Sequence, residues 1–198
     1  MFKLIVLSQP EFHDGEIDTL QGLFENGLEL FHLRKPMSSS DEMKHFIDRI
    51  PKIYHNRIVI HSNYSLATEC VIKGIHCTSM GRDEFYEYED FPIQKSISTH
   101  GFCEAGMVDE SFAYAFISPI FDSVSKLGYE QGYQHDAVKD FLSRPRRTEY
   151  IALGGVTAEN IPLCKQMGFD GVAMIGTIWN DAQPVEQFKT LLSLTQSL

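Results

Sequence analysis

The stretch of sequence that decides the fold is YIALGGVTAENIPLCKQMGFDGVAMIGT, residues 150–177. Two short apolar runs, Tyr150 to Leu153 and Gly171 to Ile175, enclose a segment whose apolar residues recur at helical spacing. Thr157 is expected to cap that helix, and Gly168 stands where a left-handed residue would end it. Strands that are joined by a helix rather than by a two-residue turn run parallel. The stretch therefore predicts a parallel strand, a crossover helix and a second strand.

The same alternation repeats from the start of the chain. Ser39 and Glu42 have the spacing of a capping box, and Pro184 stands near the start of the last helical segment. Eight apolar runs lie between helical segments: Leu4 to Leu7, Leu28 to Leu33, Ile58 to Ile60, Gly74 to Cys77, Ile93 to Ile97, Tyr114 to Ile117, Tyr150 to Leu153 and Gly171 to Ile175. Eight strand-helix pairs favour a compact (β/α)₈ TIM barrel over a doubly wound sheet. We predict one domain over residues 1–198.

Composition and charge restrict the functions open to this chain. Hydrophobic residues make up 43% of the 198 residues and charged residues 22%, as in ordinary globular proteins. A net charge of −10 disfavours nucleic acid as the main partner, because binding a duplex needs a contiguous basic face. The apolar start, Phe2 to Leu7, is too short to span a membrane and lacks a signal-peptide cleavage region. Four cysteines without CxxC spacing indicate reduced thiols, so we expect a cytoplasmic protein without nucleic-acid or membrane partners.

Two glycine-containing turns indicate where a phosphate would bind. Gly154 and Gly155 follow the seventh apolar run, and Gly176 follows the eighth. In a barrel of parallel strands, the loops after strands seven and eight commonly hold a phosphate with backbone N–H groups, which glycine leaves accessible. The amides of Ile175 and Gly176 are candidate donors at a helix start. The alternative is a pair of tight turns without a ligand, since glycine is common at such turns.

Charged and polar side chains follow other apolar runs and should lie at the same end of the barrel. Arg34 and Lys35 come after the second run, where they would grip a diphosphate, with a solvated loop pair as the alternative. Lys126 comes after the sixth run together with Ser123 and Ser125. Taken alone, that Ser-x-Ser-Lys spacing is more typical of a surface loop than of a site.

Histidines also mark several strand ends, namely His32, His61, His76 and His100. Their scattered spacing lacks the i, i+4 pattern of a helical zinc pair, and a single histidine is more often a hydrogen-bonded core or rim residue. A neutral imidazole can relay a proton near pH 7. Because they stand at strand ends, we hypothesise that His32, His61 or His100 acts as a general acid or base.

In this order the features resemble the thiamine-phosphate synthase family, which includes the thiazole tautomerases, over nearly the whole chain. His-Leu-Arg-Lys at 32–35 resembles the family's Gln-Leu-Arg-x-Lys, Gly-Ile-His at 74–76 its Gly-Val-His, and Ser-Ile-Ser-Thr-His at 96–100 its Gly-Val-Ser-x-His. Residues 118–126, Ser-Pro-Ile-Phe-Asp-Ser-Val-Ser-Lys, resemble Gly-Pro-x-Phe-x-Thr-x-Thr-Lys. Each match is weak alone, but their joint order is fairly specific.

The resemblance implies a transferase of thiamine biosynthesis that joins an aminopyrimidine-methyl diphosphate to a thiazole phosphate and releases diphosphate. Its motifs assign diphosphate binding to Arg34, Ser98 and Lys126, with Lys35 and His61 as further contacts. They assign the thiazole phosphate to Gly155, Ile175 and Gly176, with Ser123 and Ser125 beside them. We expect catalysis to rest on Arg34, Lys126 and His32. By fold analogy, a barrel of this size is also compatible with a homodimer.

The resemblance also implies Mg²⁺, held by the family's Asn-Asp after strand three and by a further acid after strand four. Here His61 and Ser62 stand in place of Asn-Asp, Gly81 falls near the further acid, and Ser62 and Asp83 are the nearest substitutes. The histidine that tautomerases carry after strand six falls at Pro119. A synthase, a tautomerase or non-catalytic thiazole-phosphate binder, and a partner-binding module all stay open. Magnesium dependence separates the first two.

Overall fold

The computed structural model describes residues 2–121 and 133–198. Within these ranges, parallel strands close into a barrel in chain order: β1 Lys3–Leu7, β2 Phe31–Leu33, β3 Ile58–Ile60, β4 Gly74–Cys77, β5 Gln94–Thr99, β6 Tyr114–Ile117, β7 Glu149–Leu153 and β8 Gly171–Met174. The barrel closes between β1 and β8, where Lys3 pairs with Gly171. A Cβ on Gly171 would lie 2.6 Å from the carbonyl oxygen of Lys3, so this approach requires glycine. The predicted (β/α)₈ barrel is confirmed.

Helices follow the strands and cover the outside of the barrel. They are α1 Glu16–Glu25, α2 Ser40–Arg49, α3 Leu66–Glu69, α4 Arg82–Tyr86, α5 Phe102–Ala105, α6 His135–Leu142, α7 Ile161–Met167, α8 Gly176–Trp179 and α9 Pro184–Gln196, with a 3₁₀ helix at Lys52–Arg57. None of the helices in the described ranges combines the length and the apolarity needed to cross a bilayer.

The predicted helix ends are confirmed at three places and wrong at a fourth. Ser39 and Glu42 form the capping box of α2, α9 begins at Pro184, and Gly168 ends α7 with a left-handed φ of 98°. Thr157 does not cap α7, which begins four residues later at Ile161. Instead, the Thr157 amide donates to Asn160 Oδ1 at 2.9 Å. An Asn side chain that bonds a nearby backbone group favours a turn over an immediate helix start.

Side-chain alternation along the strands decides which residues line the inside of the barrel. On β2, Phe31 and Leu33 pack in the outer layer under the helices, whereas His32 faces inward and contacts the Phe116 ring. The inner apolar cluster consists of Ile5, Leu7, Leu30, Val59, Tyr114, Phe116, Ile151 and Ala173. The barrel interior is therefore a packed core, and imidazoles from β2 and its neighbours lie against it.

Candidate active site

Two adjoining cavities lie at the end of the barrel where the strands finish. The central cavity, of about 440 Å³, is lined by groups that include Arg34, His61, Ser98 and His100. The turn cavity, of about 390 Å³, is lined by the segments after β7 and β8. Both cavities are lined by Leu153 and Ile175, so they meet at those two residues.

A larger cavity, of about 760 Å³, lies at the opposite end of the barrel, where the strands begin. None of the predicted site residues lines it. Because barrels of this type place their chemistry at the carboxyl ends of the strands, we take the two adjoining cavities as the candidate site.

The turn cavity contains the glycines that follow β7 and β8. Gly154 and Gly155 follow β7 with left-handed φ values of 93° and 64°. A Cβ on Gly154 would lie 2.9 Å from the Cα of Pro119, so the loop after β6 packs directly against this turn. Asn160 Nδ2 donates to the Gly155 carbonyl at 2.9 Å, and Thr177 Oγ1 donates to the Val156 carbonyl at 2.6 Å. The first bond braces the segment after β7 and the second ties that segment to the β8 turn, as a preformed anion cradle requires.

Arg34 lies at the wall of the central cavity on a fixed piece of backbone. Its amide donates to Ser8 Oγ at 2.8 Å, and Ser8 Oγ donates back to its carbonyl at 3.0 Å. No carboxylate of residues 2–121 or 133–198 pairs with its guanidinium. A half-buried guanidinium with no carboxylate partner in those ranges is well suited to bind a diphosphate.

Lys35, the next residue, has a different role. Its Nζ donates to both carboxylate oxygens of Glu16, at 2.7 and 2.8 Å, and to the Glu11 carbonyl at 2.7 Å. Both side chains of this ion pair are completely or almost completely buried. Burial lowers the pKa of Lys35, and Glu16 opposes that shift. The prediction that Lys35 binds diphosphate is therefore corrected, because its donors are already used inside the protein.

Three imidazoles meet inside the barrel, one each from β2, the end of β3 and β4. We call His32, His61 and His76 the histidine cluster. His32 Nδ1 and His61 Nε2 share a hydrogen bond of 2.8 Å, and the rings of His61 and His76 stack with centroids 4.2 Å apart. His32 and His76 are fully buried, whereas His61 is 5% exposed and lines the central cavity. Of the three rings, His61 is the one that a ligand in that cavity reaches.

Burial keeps the histidine cluster neutral. It lowers the pKa of His32 and His61 well below the ordinary value and that of His76 to about 3. Repulsion from His76 lowers the pKa of His32 and of His61 further, and Arg34 adds to the shift at His61 and His76. A cation on these rings would be uncompensated, since the cluster contains no carboxylate.

Comparison with known proteins agrees with this geometry. Residues 3–178 match the family described as thiamine monophosphate synthase. The chain belongs to this family. It is 23% identical over 184 residues to the thiamine-phosphate synthase of Prochlorococcus marinus, covering 89% of this chain and 48% of that protein. It is 26% identical over 145 residues to the thiamine-phosphate synthase of Actinobacillus pleuropneumoniae, covering 71% and 66%. The matches thus span about half of the first relative and about two thirds of the second.

Solved structures extend the comparison. The thiamine phosphate pyrophosphorylase of Bacteroides thetaiotaomicron superposes with a TM-score of 0.86 at 30% identity, covering 98% of each chain. The thiamine phosphate pyrophosphorylase of Pyrococcus furiosus superposes with a TM-score of 0.83 at 14% identity, covering 99% of this chain and 96% of that one. The second likeness shows the shared barrel alone.

The described residues do not fit the family's implied Mg²⁺. Ser62 lines the central cavity, but Asp83 is exposed on α4 and does not line it. Glu84 does line the cavity, where its Oε1 accepts the Tyr64 amide at 2.8 Å. Among residues 2–121 and 133–198, the one group of three or more potential metal ligands is the histidine cluster, which offers nitrogen alone. Mg²⁺ prefers oxygen ligands, so this nitrogen-only group does not suit it.

The remaining predicted residues divide into three groups. Ser98 lines the central cavity and shares a hydrogen bond of 2.8 Å with His76 Nε2. His32 lines neither cavity, which corrects the prediction that it acts directly in catalysis. Outside the described residues lie Ser123, Ser125 and Lys126.

The sequence did not predict the hydrogen bonds that hold the histidine cluster and the β7 turn. Tyr114 shares a hydrogen bond of 2.6 Å with His32 Nε2, and Ser96 shares one of 2.8 Å with His76 Nδ1. Asn160 was missed as the residue that secures the β7 turn. The available signal was strand alternation, which places residues two apart, such as Ser96 and Ser98, on the same face.

Proposed function

We propose that this protein joins an aminopyrimidine-methyl diphosphate to a thiazole phosphate, yielding thiamine phosphate and diphosphate. The observation that carries the proposal is the meeting of the central cavity and the turn cavity at Leu153 and Ile175. A coupling reaction needs its two phosphorylated substrates held side by side with the reacting atoms in contact. Membership of the thiamine monophosphate synthase family supports this reaction over others that also use phosphorylated substrates.

The turn cavity is the proposed site of the thiazole phosphate. Gly155, Ile175 and Gly176 line it, and Thr177 and Asn160 hold the two turns in place. Backbone N–H groups in a left-handed turn bind an anion without needing a charged side chain. The chain has a net charge of −10, so an anion must be bound by donors at the site itself rather than attracted by the protein as a whole.

The central cavity is the proposed site of the diphosphate. In the reaction, the bond between the pyrimidine methylene carbon and the diphosphate oxygen breaks, and its electron pair leaves with the diphosphate. The lone pair of the thiazole nitrogen then forms the new carbon–nitrogen bond. Arg34 stabilises the negative charge that develops on the leaving group, and Ser98 and His61 line the same wall. Lys126 remains a predicted further cation for this site.

A product assay tests the proposal. Purified protein is incubated with both substrates, with and without added Mg²⁺, and thiamine phosphate and diphosphate are quantified by chromatography. We expect equal amounts of the two products, and a lower rate for Arg34→Met. The matched control is Arg49→Met, because Arg49 is exposed at the end of α2 and lines neither cavity. Absence of product under both conditions would overturn the assignment.

A thiazole tautomerase or a non-catalytic thiazole-phosphate binder is the second candidate. The observation that favours it is that, among the described residues, the one group of three or more potential metal ligands contains no carboxylate. Both alternatives keep the turn cavity and predict that the thiazole phosphate binds while no thiamine phosphate forms. Proton exchange on the thiazole, followed by NMR, separates a tautomerase from a binder.

A further inference from the structure

The histidine cluster has the arrangement of a metal site that the family resemblance does not assign. One nitrogen from each of His32, His61 and His76 lies within 4.8 Å of the other two. Two ligands on one tetrahedral Zn²⁺ lie roughly 3.4 Å apart, given metal–nitrogen bonds of about 2.0–2.1 Å. The three nitrogens therefore have to move closer together, by rotation of the rings, to bind one ion.

His61 supplies an independent observation. Its Nδ1 is the one buried side-chain nitrogen or oxygen of residues 2–121 and 133–198 that has no hydrogen-bond partner. Buried polar atoms are nearly always bonded, and an unbonded one is costly. The ring has a second nitrogen, which contacts His32, so rotation of the ring can offer either nitrogen to an ion.

The surroundings of the cluster would orient such ligands. Tyr114 Oη shares a hydrogen bond of 2.6 Å with His32 Nε2, and Ser96 Oγ shares one of 2.8 Å with His76 Nδ1. Metal-binding histidines usually engage their second nitrogen in this way, which fixes the ring orientation. To bind the ion, His76 Nε2 would give up its hydrogen bond to Ser98 Oγ.

The chemistry of the donors selects the kind of ion. Three neutral imidazoles without a carboxylate favour zinc, cobalt, nickel or copper over magnesium or calcium. His61 borders the central cavity, so the fourth position opens toward a water or an anionic oxygen.

We propose that His32, His61 and His76 bind one divalent transition-metal ion at the inner wall of the central cavity. The ion occupies the face of the barrel where the family's magnesium ligands are replaced by His61 and Ser62. This site does not depend on the proposed function, since metal binding is measured without substrate.

Metal titration of the full chain tests the proposal. The protein is freed of metal with a chelator, dialysed and titrated with Co²⁺ and separately with Zn²⁺. We expect a single ion per chain by elemental analysis and a visible Co²⁺ spectrum typical of tetrahedral nitrogen and oxygen ligands. A wild-type chain that takes up neither ion overturns the proposal.

Matched histidine variants locate the ion. His61→Gln is expected to lower the affinity for Zn²⁺ roughly hundredfold or more, since it removes a direct ligand. His55→Gln is the control, because His55 is also buried but donates to the Ile50 carbonyl outside the cluster. Equal affinities of wild type and His61→Gln would refute the site.

X-ray absorption of the zinc-loaded wild type keeps the test decisive if His61→Gln does not fold. Three imidazole ligands in the first shell would support the proposal. A sulfur ligand, which would come from one of the four cysteines, or a shell of oxygen alone would contradict it.

Discussion

In the proposed function, the two sides of the barrel mouth bind anions by different means. After β7 and β8, the proposed phosphate donors are backbone amides, with Gly154 and Gly155 in left-handed conformations and Asn160 securing the turn. After β2 to β4, the wall is made of side chains, chiefly Arg34 and His61. A backbone cradle persists as long as the turns keep their shape, whereas a side-chain wall changes its chemistry with single substitutions. His61 and Ser62, which stand where the resemblance implies magnesium ligands, lie on the side-chain side.

The largest expected effect is on stability. It tests whether every cationic side chain on the side-chain side is free to bind a ligand. Lys35→Met leaves Glu16 buried without its partner, so we expect a loss of about 3–5 kcal/mol in the free energy of unfolding. Urea denaturation measures it. Lys44→Met, which breaks the exposed pair with Asp48, is the control and should change stability little. A Lys35→Met protein as stable as wild type would show that Glu16 does not depend on this ion pair.

The next largest effect is on ligand affinity, and it tests whether the two sides bind different ligands. Arg34→Met is expected to weaken the binding of inorganic diphosphate roughly tenfold to hundredfold, the range for losing hydrogen bonds to a charged group. The affinity for thiazole phosphate should not change, because Arg34 does not line the turn cavity. Calorimetric titration of both ligands into each variant checks this. An equal loss for the two ligands would mean that the cavities are not separate sites.

A smaller effect is expected on the backbone side. Gly155→Ala strains a left-handed turn by about 1–2 kcal/mol, so thiazole phosphate should bind roughly tenfold more weakly as the turn relaxes. Gly15→Ala is the matched control, since Gly15 has a φ of 77° and a Cβ there meets nothing within 4 Å. Both variants should lose similar stability in thermal melts. Unchanged affinity in Gly155→Ala would remove this turn from the phosphate site.

The smallest effect concerns the reactivity of cysteines that are buried behind each side of the barrel mouth. It should leave ligand binding unchanged. Cys77 on β4 and Cys164 on α7 are buried, and burial raises the pKa of both thiols, that of Cys164 to about 12. At pH 8 the reactive thiolate of Cys164 is then roughly one part in ten thousand. Iodoacetamide labelling followed by mass spectrometry should modify the exposed Cys103 before Cys77 and Cys164. Rapid labelling of Cys77 alone would indicate that the side-chain side is loosely packed.

The barrel and its glycine turns were predictable because their signals are local. Apolar runs of three to six residues mark the strands, and Gly154, Gly155 and Gly176 mark the turns that follow the last two of them. The second strand was predicted from Leu28, whereas β2 begins at Phe31, because apolarity does not report where strand pairing begins. Arg34 was predictable by the same local logic, since it directly follows that strand.

The chemistry of the side-chain side was less predictable because it depends on distant partners. Lys35 looks like Arg34 in sequence, yet Glu16, 19 residues away on α1, decides that its ammonium is buried. The histidine cluster joins residues of three strands, and His32 and His61 are 29 positions apart. No spacing rule along the chain detects such a cluster. It requires the strand order and register of a closed barrel, which bring the inward-facing residues of β2, β3 and β4 together.

Calorimetric titration of thiazole phosphate in the presence of a chelator tests most directly whether the two sides are independent. The account predicts one site per chain, an affinity that the chelator and Arg34→Met leave unchanged, and a roughly tenfold loss in Gly155→Ala. Absence of binding, or binding that the chelator abolishes, would contradict a phosphate cradle made of backbone after β7 and β8.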